Sequence, residues 1–151
     1  MSAQDFSIDP LLIDRCRADN AGNPMDCVGS QMQACFDSYG AGPNIVLSAC
    51  MEAEAIYWDA ALNDTYSHVL ELARAEESDP QGLYVTPEAL SSSLRGVQRA
   101  WISYRDAVCD YEVALAMPFG SAVGPAANGC IMRETARQVF ELERMARGFK
   151  R

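Results

Sequence analysis

Groups that could carry chemistry are scarce in this 151-residue sequence. It contains one histidine, His68. A nucleophilic triad needs such a base beside a serine or cysteine motif, and His68 stands in an acidic, alanine-rich stretch with neither. We read it as a surface helix residue. No two cysteines have Cys-x-x-Cys spacing, which removes the usual zinc-ligand turn and the thioredoxin-like redox motif. The stretch from Gly120 to Pro125 has no Gly-Lys-Ser/Thr ending and no strand before it, so it is not a phosphate loop. Uninterrupted apolar runs last only a few residues, too short for a membrane span. Basic residues are few, 12 against 21 acidic, giving a net charge of −9. Such a balance argues against nucleic acid as a partner, because binding it requires basic surface. Neither a basic region nor an apolar stretch follows Met1, so no signal peptide is visible. A secreted protein is expected here in mature form behind an added initiator methionine. These absences give no case for an enzyme, a cofactor or a metal.

The acidity is local. Residues 1–80 hold 14 acidic and 3 basic side chains, and residues 81–151 hold 7 and 9. The densest stretch runs from Glu52 to Asp79. Its carboxylates, Glu52, Glu54, Asp59 and Asp64 among them, read as a solvated helix face or as a surface that steers a basic partner. The six cysteines, at 16, 27, 35, 50, 109 and 130, make an even set in a small domain. That set predicts three disulfides and an oxidising compartment.

The expected fold is all-α, a small helical bundle built on a long antiparallel helical hairpin and stapled by disulfides. Residues 1–9 form a lead-in and residues 10–151 one helical domain. A short helix is expected from Leu11 to Arg17 and a second from Pro24 to Tyr39. A long helix follows from about Asn44 to Glu77, with an apolar stripe through Trp58, Leu62, Tyr66, Val69, Leu70 and Ala73. Thr86 and Pro87 are expected to open the third major helix as N-cap and first residue. Along it Leu90, Leu94, Val97, Trp101, Tyr104, Val108, Tyr111 and Leu115 alternate four- and three-residue steps, a heptad-like seam. Met117 to Gly129, rich in glycine, proline and alanine, reads as a loop. The last helix runs from about Cys130 to Arg147.

With a hairpin turn near residue 82, residues whose numbers sum to about 164 lie level. Asp59 then faces Arg105, and Asn63 faces Trp101. This predicts a polar network of Asp59, Asn63, Gln98 and Arg105 between the two long helices, since an arginine–carboxylate pair is the strongest buried partnership available. Solvated surface positions are the alternative. Two connections at opposite ends of the hairpin are candidate partner-binding loops. One carries Ser78, Asp79, Gln81 and Tyr84, and the other Phe119 and Ser121.

Three segments resemble the LprI-like lysozyme-inhibitor family of small secreted bacterial helical domains. The first runs from Cys50 to Tyr66 and holds Asp59, Leu62, Asn63 and Tyr66 in the order Asp-x-x-Leu-Asn-x-x-Tyr. The second, Gln98-Arg99-Ala100-Trp101-Ile102-Ser103-Tyr104-Arg105-Asp106-Ala107-Val108-Cys109, is the most specific and adds Asp106 to the polar set. The third is Cys130 with Thr135 and Leu142. The resemblance extends over about residues 27–145. It departs at Gln138, where the family often has arginine, and in the added cysteines from Cys16 to Cys35. It implies a periplasmic or extracellular domain, often on a lipoprotein, with a protein partner, lysozyme the candidate.

Six cysteines allow fifteen pairings. The hairpin rule puts Cys50 and Cys109 near one end of the bundle, with Cys130 just beyond. The preferred pairs are Cys109–Cys130, Cys35–Cys50 and Cys16–Cys27, with Cys50–Cys109 open as a cross-pairing. The leading functional reading is an inhibitor of lysozyme. The alternative is a periplasmic structural or adaptor domain without inhibitory activity. A small-molecule-binding bundle would need an apolar pocket between helices.

Overall fold

The computed structural model describes residues 6–82, 84 and 86–149. The first five residues of the expected lead-in, Leu83 and Val85 of the first candidate loop, and Lys150 and Arg151 lie outside the described residues. Among the described residues five helices run in order: α1 (Pro10–Asp19), α2 (Ser30–Ser38), α3 (Asn44–Glu77), α4 (Ala89–Ala116) and α5 (Val123–Arg147). Short 3₁₀ segments at Pro24–Cys27 and Met117–Ala122 precede α2 and α5. The long hairpin is present as α3 and α4.

Each start has a local cause. Asp9 caps α1 through Leu11 N at 3.0 Å, with Pro10 at the first helical position, where a missing N–H costs nothing. The helix expected from Pro24 to Tyr39 is divided at Gly29, whose φ of 90° suits glycine far better than a residue with a Cβ. The start expected at Thr86–Pro87 moves to Ala89. Glu88 there has φ 63° and makes no side-chain cap. Glu77, the last residue of α3, takes that role from across the turn. Its carboxylate accepts from Leu90 N (3.0 Å), Ser91 N (3.1 Å) and Ser91 Oγ (2.6 Å).

The segment expected as the loop 117–129 is mostly helix, because α5 begins at Val123. Its small residues serve close packing. A Cβ on Gly124 would lie 3.0 Å from Ser48 Oγ, and one on Gly129 3.2 Å from the Met51 side chain. Pro125 stands in the first turn, where no N–H is needed. Asn128 secures the crossing by donating to Ser48 Oγ at 2.7 Å and to Ser48 O at 3.2 Å.

α5 is the central element. It runs along α3 and also carries α4, and α3 and α4 touch each other far less than either touches α5. Ile13, Trp58, Leu62, Val69, Leu94, Met132, Ala136, Val139 and Leu142 form the core. The expected α4 seam is therefore only partly used. Leu94 is buried, whereas Val97, Tyr104, Tyr111 and Leu115 are exposed.

Candidate functional site

The disulfides join Cys16 to Cys27, Cys35 to Cys50 and Cys109 to Cys130. These are the preferred pairs, and the cross-pairing Cys50–Cys109 does not form. The loops they close span 11, 15 and 21 residues. Closing loops of this size restricts the unfolded chain by about 3 kcal/mol each. Two of the three sit at one end of the bundle, tying α2 to the start of α3 and the end of α4 to the start of α5.

The expected polar network between α3 and α4 does not assemble. Asp59 and Asn63 are exposed and make no hydrogen bond or ion pair among the described residues. Arg105 pairs with its neighbour Asp106, at 3.0 Å from Nε and 2.9 Å from Nη2, and lies over the Trp101 ring. Gln98 turns to α5 and accepts from Gln138 Nε2 at 3.2 Å. The physical reason is the place of α5, which takes the inner faces of both long helices. Asp59 and Arg105 do line one open groove, together with Asn128, Ile131 and Thr135.

Two other polar clusters hold the bundle. Glu54 is fully buried, and its carboxylate accepts from Gly29 N (2.7 Å), Gln31 N (2.9 Å), Met32 N (3.0 Å) and Trp58 Nε1 (2.9 Å). It thus ends in the amide cluster that opens α2, where negative charge is favoured. The sequence held a signal for this. Cys50, Glu54, Trp58 and Leu62 follow in four-residue steps, so Glu54 belongs to the buried stripe and not to the acidic face. In the second cluster, Arg17 of α1 donates to Tyr57 Oη at 2.9 Å, pairs with Glu143 and lies over the rings of Trp58 and Phe140. Burial opposes the Arg17 charge, but the Tyr57 hydrogen bond and the attraction of Glu143 outweigh it and hold its pKa above the ordinary value. Tyr57 in turn donates to Asp14. Its pKa is raised, first by burial and then by that hydrogen bond to a carboxylate. Among the described residues no buried side-chain nitrogen or oxygen lacks a partner.

The two candidate loops differ in build. In the first, Ser78, Gln81 and Tyr84 are exposed, and Asp79 accepts from Gln81 N at 2.9 Å. In the second, Phe119 is 74% exposed and Met117 64%, so the tip is apolar. Gly120 turns there with φ 54°, and Ser121 Oγ accepts from Asn44 Nδ2 at 3.1 Å. On α3, Glu52 and Asp59 are exposed on one flank and Asp64 and Glu71 on another, so carboxylates border both sides of its outer face.

His68 is exposed on the rim of an open groove with Asp64, Leu72, Glu143 and Phe149. Among the described residues no three His, Cys, Asp or Glu side chains gather as metal ligands. No described helix is long and apolar enough to cross a membrane. The grooves between the helices are open, so they give no support to the small-molecule reading.

Fold and polar clusters together define a three-disulfide helical domain whose buried polar groups are engaged in holding helices to one another. The model of the family "Lysozyme inhibitor LprI" matches residues 35–142, and the chain belongs to that family. An uncharacterized protein of Rhizobium meliloti (strain 1021), R02472, is 29% identical over 100 residues, covering 66% of this chain and 70% of its own. No solved structure matches.

Proposed function

We propose that this chain is a periplasmic or secreted inhibitor of lysozyme and not itself an enzyme. The observation that carries the reading is the family match across residues 35–142. Three disulfides support an oxidising compartment. The α4–α5 turn is the element we assign to the lysozyme cleft. Its apolar tip, Met117 and Phe119, projects from a base fixed by Cys109–Cys130 and by Asn44. A rigid tip of this kind loses little conformational freedom on binding. The exposed carboxylates on both flanks of α3 speed encounter with a basic lysozyme.

The test is lysozyme turnover titrated with the oxidised protein at low and high salt. Inhibition that weakens as salt rises supports the reading. No inhibition of any lysozyme class at micromolar protein overturns it in favour of a structural or adaptor domain.

A further inference from the structure

α4 carries an apolar face that the bundle does not cover. Val97 is 39% exposed, Tyr104 58%, Tyr111 64% and Leu115 56%, with Trp101 and Val108 half-buried between them. These six positions advance by four and three residues in alternation, the spacing by which one helix packs along another. Beside them Ser93, Ala100, Ala107 and Ala114 recur every seventh residue and are all exposed. Their small side chains let a partner backbone approach closely. At 100° per residue these positions occupy about 140° of the helix surface with no charged residue among them, and the Arg105 guanidinium lies over the Trp101 ring at its edge. The charged side chains of α4 project from the remaining arc. Three of them are engaged there, Arg105 and Asp106 with each other and Glu112 with Arg133 of α5.

We propose that this face is the interface of a homodimer in which α4 packs antiparallel against α4 of a second copy. Heptad spacing calls for a helix as partner. A basic protein would be drawn instead to the exposed carboxylates of α3, because the α4 face carries no acidic side chain to bind one. Two chains of net charge −9 repel each other, and the uncharged face of α4 lets them meet with no carboxylate at the contact. A two-fold axis near residue 106 sets Val97 opposite Leu115, Trp101 opposite Tyr111 and Tyr104 opposite Val108. Such an interface is isologous and closes after two copies. The stripe is roughly 27 Å long. With its small-residue flank it offers on the order of 700 Å² per copy, set against roughly 800 Å² for a standard stable interface. The total for two copies lies within the standard size class. Antiparallel packing leaves the two α4–α5 turns free at opposite ends of the dimer.

The experiment is sedimentation of the full, disulfide-bonded chain without lysozyme, over about 1 to 200 µM, a span that brackets dissociation constants in the micromolar range. The expected result is a mass rising from one chain to two. Tyr104→Glu with Tyr111→Glu should remain a single chain throughout, with unchanged helical circular dichroism and no free thiol. If that variant loses helicity, Val97→Ser with Leu115→Ser takes its place. Ile56→Glu, on the outer side of α3, should dimerise like the wild type. Under mild oxidation Ala107→Cys should cross-link two copies and Ser93→Cys should not. A single-chain mass at every concentration, or a dimer that persists in the charged variant, overturns the proposal. No lysozyme is present, so either outcome is independent of the inhibitory reading.

Discussion

Trp58 Nε1 donates to Glu54 Oε2 at 2.9 Å inside the bundle, and both side chains are completely buried. The carboxylate holds the indole and three backbone amides of the α2 entry together. Glu54→Ala would leave four donors without their acceptor. The expected loss is several kcal/mol, since each buried neutral donor left unpaired costs about 1–3 kcal/mol. Glu54→Gln keeps the shape and one acceptor oxygen and should cost less. Urea unfolding of the oxidised protein checks both values, and amide exchange should show α2 opening first.

Glu77 gives the fold an acid-sensitive joint. Its pKa is lowered, first by the Ser91 hydroxyl and then by the backbone amides of Ser91 and Leu90 with Arg95 nearby, and burial opposes the shift. A depressed folded-state value means the charged form supports the folded state. The stabilisation is complete above the ordinary glutamate value of 4.5 and is lost as pH falls through the depressed one. Amide exchange at Leu90 and Ser91 should therefore accelerate in acid before the rest of α4 responds. In Glu77→Gln the same amides should exchange quickly already at neutral pH, without that step.

At alkaline pH the Tyr57 cluster should respond. A raised tyrosine pKa favours the neutral form in the folded state, so its contribution is present below the free value of 10.0 and lost as pH rises through the raised one. Spectrophotometric titration should show one tyrosine ionising late, and Tyr57→Phe should remove it. Arg17→Met removes the two interactions that lower the Tyr57 pKa, so that ionisation should move to still higher pH, and it should cost about 1.5–3 kcal/mol, the range for a hydrogen bond to a charged group.

The close crossing of α3 and α5 predicts size sensitivity at a position that looks like loop sequence. Gly129→Val must displace Met51 and Arg133, each 3.2 Å from a Cβ placed there. Overpacking of this kind costs about 1–3 kcal/mol. Gly22→Ala, with nothing within 4 Å, should be nearly neutral. Thermal unfolding of the pair separates the two.

These positions show where the sequence was legible. The α3 boundaries, Asn44 and Glu77, could be read directly, since Pro43 and the Ser78–Pro80 turn bracket an unbroken stripe. The hairpin gathered Cys50, Cys109 and Cys130 at one end of the bundle but left Cys50–Cys109 open, so the observed pairs were a preference among level positions and not a consequence of them. The central place of α5 was hidden. Its buried face includes Glu134, Thr135 and Gln138, which polarity places outside, and its first turns are built of residues that usually break helices. With α5 misplaced, the α4 seam looked like the core and Asp59 looked like a partner for Arg105. Glu77 and Glu54 cap the helices next to α3 in the chain, and while the four-residue stripe marks Glu54 as buried, no local pattern names the amides that either carboxylate meets.

The central claim is inhibition through the α4–α5 turn, and lysozyme turnover with the Phe119→Ser variant tests it most directly. Phe119 is 74% exposed, so the substitution leaves the fold intact. The account predicts inhibition by the wild-type protein and at least about a tenfold weaker inhibition by Phe119→Ser, as for a buried aromatic anchor. Equal inhibition by both would contradict the assignment of the turn, and no inhibition by either would contradict the inhibitory reading itself.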